Sequence, residues 1–135
     1  PRQPELRKGF SMSDLTNYAR DMLARTLCGR APTPPGAVYA ALGSAGSATG
    51  GVTGEPAGTG YARQRVTFNG TGSQSNAEAL RFTFTAAAGT LGYLGLFDAA
   101  SGGNPLTFMA LSQPVVMSGP GTVTVAASGL VVAPD

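Results

Sequence analysis

Between residues 14 and 28 the apolar side chains recur three and four positions apart. Leu15, Tyr18, Ala19, Met22, Leu23 and Leu27 share one face at that spacing, so SMSDLTNYARDMLARTLCG predicts an amphipathic helix. Ser11 or Ser13 is placed to cap its start, Asp14 suits the positive end of its dipole, and Gly29 can close the far end. Asp21 and Arg25 lie four apart on the polar face, a pairing worth roughly a few tenths of a kcal/mol. Pro32 prevents a further turn.

Downstream a period of two takes over. Ala37–Leu42 predicts a short strand after the PTPPG turn. Tyr61–Phe68 sets Ala62, Gln64, Val66 and Phe68 on one face and Tyr61, Arg63, Arg65 and Thr67 on the other. Ala79–Ala86 alternates more cleanly and points Leu80, Phe82 and Phe84 inward. TLGYLGLF, PLTFMAL, PVVM, TVTVAA and LVVA follow, each bounded by Gly, Pro, Ser or Asn. Short strands at such spacing predict a mainly β fold: an antiparallel sandwich or barrel, jelly-roll-like, with the helix over one open end or edge. Gly43–Gly60 has no periodicity and reads as a long flexible loop, and NGTGSQSN from Asn69 reads as a polar turn. Asn69-Gly70-Thr71 matches a glycosylation sequon and is assigned to that turn.

LFDAASGGNPL, Leu96 to Leu106, gathers an aspartate, a serine and an asparagine. A calcium loop needs about six to eight oxygens and several carboxylates, and only Asp98 is local. Between two strands, Gly102, Gly103 and Asn104 supply the backbone freedom of a connection while Asp98 starts it. The stretch is read as a turn.

PRQPELRKGF changes the picture at the front. Its composition predicts an extended basic arm over residues 1–12, with a single domain over residues 13–135. Such an arm does not bury enough of itself to stay fixed alone, and a neighbouring subunit is the simplest holder. The chain has 135 residues with nine basic against seven acidic, and the basic excess falls in residues 1–30. That balance argues against a nucleic-acid face.

Histidine is absent, and Cys28 is the only cysteine, so no intrachain disulfide forms. Near a helix C-terminus its thiol is not activated, and it reads as buried and structural. Glu55, Glu78 and Asp98 show no spacing that brings two carboxylates together. The reading is no enzyme, no metal and no cofactor. No signal peptide is visible, and Pro105, Pro114 and Pro120 break the uncharged region, so no membrane span is expected.

The charge pattern points further. Between Arg81 and Asp135 the only charged residue is Asp98. A sandwich facing water on its outer sides normally carries Lys and Glu there. Coverage by other copies is therefore expected, hence a homo-oligomer. Candidate partner contacts are Arg2, Arg7, Lys8 and Phe10 in the arm, and Tyr61, Arg63 and Arg65 on one strand face.

APTPPGAVYAAL, GYARQRVTF, SNAEALRFTF, LGLFDAASGGNPLTFMAL and VTVAASGLVV, in that order, resemble a family of small tailed-phage structural proteins labelled tail fibre or minor tail proteins. The resemblance spans about residues 14–133, with GYARQ and GLFDAASGGN its specific parts. Leu91-Gly92 stands where the family usually has Trp-Gly, and Gly119-Pro120-Gly121-Thr122 where it has Gly-Asp-Thr. The resemblance implies a virion component made in the bacterial cytoplasm, with no catalytic residues. It also implies a capsid or tail protein and a fibre protein as neighbours. A spike base or adaptor on a phage-like particle such as a gene transfer agent is one form of that role. The Ala, Gly and Arg content fits a high-GC bacterial source.

The rival expectation is a carbohydrate-binding module that touches a host glycan. The chain has no Trp, and Tyr18, Tyr39 and Tyr93 are assigned to the helix face or core, which leaves Tyr61 as the platform.

Overall fold

The computed structural model describes residues 5–10 by their backbone and residues 14–30 and 35–132 in full. Arg2, Ser11, Ser13 and Pro32 lie outside the described residues. In chain order the elements are β1 (Glu5–Phe10), α1 (Asn17–Leu27), β2 (Val38–Gly43), β3 (Ala45–Ser47), β4 (Gly51–Thr53), β5 (Gln64–Val66), β6 (Phe68–Asn69), β7 (Gln74–Asn76), β8 (Leu80–Phe84), β9 (Gly89–Phe97), β10 (Pro105–Met117) and β11 (Gly121–Val132).

Strand β8 shows why two sheets form. Leu80, Phe82 and Phe84 are buried and Arg81 and Thr83 exposed, the alternation expected of a sheet with one wet face. In its sheet β11 is central: β1 lies on one side, and β7 and β8 lie along the other, with β6 next to β7. The opposing sheet runs β10-β9-β2-β5. Phe82, Phe84, Val123, Val125 and Leu130 from the first meet Leu42, Leu91, Leu94, Val115 and Met117 from the second in one core. This is the antiparallel sandwich expected, apart from β1, which pairs with β11 in parallel.

Several boundaries differ from the expected ones. PLTFMAL and PVVM are a single strand, β10, and TVTVAA and LVVA are a single strand, β11. The Pro and Gly residues that looked like turns sit at register shifts. One lies between Ala110 and Val115, where Pro114 needs no ladder partner. The other lies between Val125 and Leu130, where Ser128 takes a φ of 64°. Tyr61–Phe68 is not one strand: β5 pairs with β2, β6 pairs with β7, and the chain changes sheets at Thr67.

Where β11 bulges, Asn76 completes the ladder. Its Nδ2 donates to Glu78 O at 2.8 Å and Ala126 O at 2.9 Å, and its Oδ1 accepts from Leu130 N at 2.8 Å. The side chain is fully buried, and its bond from Leu130 N lies where no water can replace it. It is the last residue of β7, next to the stretch of β11 that neither β7 nor β8 pairs.

Gly43–Gly60 is not an unstructured loop. It contains the β3–β4 hairpin, which lies on the outer face of the second sheet. Val52 packs there against Ala41 and Phe97. The approach requires glycine below it: a Cβ on Gly95 would meet the Thr107 carbonyl and stand 2.5 Å from a Val52 methyl. With both faces covered, Leu94–Phe97 are buried without alternation.

Helix α1 begins three residues after its expected cap region. Thr16, fully buried, accepts from Ala19 N through its Oγ1 and donates to Pro105 O at 2.6 Å. Thr16 N donates to Leu106 O and Asn17 N to Ala48 O, so β10 and the β3–β4 turn select the cap. Only Ala19 is buried within the helix. Cys28, expected to be buried, is exposed at the C-cap, where every residue from Leu23 to Arg30 is exposed. Leu91 is buried in the core.

Candidate functional site

The densest polar cluster lies where the segment before β5 crosses the β9–β10 connection. Arg63, its side chain 8% exposed, contacts Glu55 through two parallel bonds: Nη2 to Oε1 at 2.7 Å and Nε to Oε2 at 3.0 Å. Its Nη1 donates to Ala99 O and Gly102 O, each at 2.9 Å. The guanidinium carbon stands 3.8 Å from the centroid of the Phe97 ring. Tyr61 donates its hydroxyl to Glu55 Oε2 at 2.6 Å and accepts from Leu42 N at 3.0 Å. Its ring stacks on Phe82 and Phe84.

Burial pushes the Glu55 carboxyl up, but hydrogen bonds from Arg63 and Tyr61 and the guanidinium charge outweigh it and hold its pKa below the ordinary value. The Tyr61 hydroxyl is raised well above the phenol range, first by burial and then by its bond to the carboxylate. The unit is a clamp between two loops. The loop it grips closes on itself: Asp98 Oδ1 accepts from Asn104 N at 2.6 Å, Oδ2 accepts from Asn104 Nδ2 at 3.0 Å, and Gly102 and Gly103 take positive φ. LFDAASGGNPL is the turn its composition predicts.

This corrects the placement of two candidate contacts. Tyr61 and Arg63 do not share an outward strand face with Arg65; they turn into the protein and bond to Glu55. Burial of the Tyr61 ring against two phenylalanines outweighs the strand alternation that would have exposed it. Arg65 is exposed on β5, at the end of its sheet. Arg7, Lys8 and Phe10 lie in β1, and Arg2 is outside the described residues.

A second feature is apolar. Leu27 is 88% exposed in the last turn of α1, and Tyr18 and Leu23, on either flank of buried Ala19, are also exposed. Beside the helix a groove of about 320 Å³ is lined by Leu15, Met22, Leu23, Phe68, Leu106 and Val132, among others. The signal was in the sequence. At about 100° per residue the six apolar positions sweep an arc of about 180°, more than one sheet edge covers. Among the described residues no three of His, Cys, Asp and Glu come together as a metal group. No described helix is long and apolar enough to cross a membrane.

A family model described as Podophage GP4 fiber I protein gp80 matches residues 11–133, almost the whole chain. No curated protein matches it.

Proposed function

Since the chain belongs to the Podophage GP4 fiber I protein gp80 family, a tailed-phage fibre-type structural family, we propose that it forms a symmetric oligomer serving as a spike or fibre base, or adaptor, on the head or tail of a phage-like particle. Gene transfer agents fall within that class. The observation that carries the assembly is the open apolar side of α1, where Leu23 and Leu27 face solvent beside an apolar groove. Val116, 64% exposed on β10, is a separate apolar position on a strand that bears no charge. Neighbouring copies remove these surfaces from water, and Arg65 with the basic residues of β1 supplies polar contacts at the rim.

The chemistry is one of complementary surfaces. The Glu55–Tyr61–Arg63 clamp keeps the connecting loops in one shape, which reduces the ordering cost of docking. A capsid or tail protein on one side and a fibre protein on the other are the partners. Against the sugar-binding alternative, the Tyr61 ring that would serve as its platform is stacked on Phe82 and Phe84.

Gold labelling of this protein on purified particles, viewed by electron microscopy, tests the role. Label at a fixed place is expected, and its position at a head vertex or the tail distinguishes spike base from tail fibre. Intact particles without label would overturn the reading.

A further inference from the structure

We propose that in the assembled oligomer β1 is exchanged between copies, each lying parallel along β11 of its neighbour; the inference rests on the oligomeric reading above and names the element that copies share. Among the described residues, strand β1 is the outermost of its sheet and pairs only with β11. Parallel strands need no hairpin between them, and these two stand at opposite ends of the described chain. No short connection therefore ties β1 to the β11 of its own copy.

What fixes the front of the domain lies after β1. Leu15 bridges to Thr107, Thr16 N donates to Leu106 O, and Asn17 N donates to Ala48 O. This anchor holds α1 on β10, in the other sheet, wherever β1 lies. Four residues, 11–14, separate Phe10 from Leu15, and extended they reach roughly 17 Å. A neighbour that receives β1 must then sit beside α1. That is the side on which Leu23 and Leu27 are exposed, so one neighbour accounts for both the strand and the apolar face.

The receiving edge cannot be left bare. Gly121–Val132 carries no charge and no proline, the features by which an open edge resists pairing. Some copy of β1 must cover it. Pairing within a copy and pairing between copies use the same register, Glu5 with Thr124, Leu6 with Val125 and then Lys8 with Leu130 across the bulge. The ladder is thus equal in both arrangements, and the exchanged one adds burial of the α1 face.

The test uses the full chain with Cys28→Ser, which removes the exposed thiol, and cysteines placed by register. Glu5→Cys with Thr124→Cys is one pair, and Gly9→Cys with Val131→Cys is a second in case the first perturbs folding. The assembled protein is treated with a short bis-maleimide and run on denaturing gels, with sedimentation giving the state before treatment. Covalent multimers are expected from both pairs, and covalent dimers from mixed copies bearing one cysteine each. An oligomer in which both pairs react only within single chains overturns the exchange and leaves the oligomeric reading standing. A chain that sediments as a monomer at every concentration overturns that reading and the exchange with it.

Discussion

Replacing Asn76 with alanine removes three hydrogen bonds made by a fully buried side chain. Leu130 N is left without its acceptor beside a fully buried leucine, and Ala126 O loses a donor in a half-buried position. Glu78 is exposed, so its carbonyl can turn to solvent. An unsatisfied buried group costs about 1–3 kcal/mol, and one full and one partial loss place the total near 3 kcal/mol. For a domain of this size that lowers Tm by roughly 10 °C. Urea unfolding should show the loss as a shift of midpoint at constant slope.

Asn76→Leu separates volume from bonding, because it refills the space without serving any of the three partners. It should cost as much as alanine. Asn76→Asp keeps an acceptor for Leu130 N but turns an oxygen toward two carbonyls. Burial and those carbonyls raise its folded pKa above the unfolded value, so the folded state holds the proton more tightly. Its penalty is then smallest below the unfolded pKa and grows as pH rises through the folded one. A midpoint shift worth less than about 1 kcal/mol for both Ala and Leu would refute the argument.

Other outcomes follow from the same reasoning. Gly95→Ala pushes against the Thr107 carbonyl and Val52 and should cost about 1–3 kcal/mol in thermal unfolding, with exposure of the β3–β4 hairpin to protease. Arg63→Met leaves Glu55 half-enclosed without its counter-charge, held only by the Tyr61 hydroxyl; a loss of about 3 kcal/mol is expected, with faster amide exchange at residues 98–104, and unchanged exchange there would contradict the clamp. Glu55 titrates below its ordinary value when folded, so its contribution is present above the unfolded pKa and lost as pH falls through the folded one; Glu55→Gln should flatten that acid limb of the stability profile. Ser128→Gly relieves a left-handed conformation and should raise stability by up to about 1 kcal/mol, read from the same urea curves.

Much of this protein is visible in local patterns. Alternation alone determined that Leu80, Phe82 and Phe84 face a core, and the 3.6-residue period determined a helix through Met22 and Leu23. Asp98 and the glycines after it determined a turn, because backbone freedom and side-chain acceptors act over a few residues. The quoted motifs determined the family, which the match over residues 11–133 bears out. The charge desert after Arg81 was equally plain, since it requires only counting.

Tertiary structure decided the rest. Pro114 and Ser128 look like strand ends until neighbouring strands carry the ladder across them on either side. Thr16 outcompeted the serines as a cap because strand β10 offered its hydroxyl a carbonyl 89 residues away. Gly43–Gly60 lacks a pattern since its buried apolar residue, Val52, fits against Gly95 of β9, and its Glu55 is held by residues outside the segment. Tyr61 and Arg63 turned inward because Glu55, Phe97 and the 98–104 loop met them in space. Propensity and periodicity act between near neighbours in the chain; desolvation and hydrogen-bond satisfaction act between neighbours in space, which only the folded chain brings together.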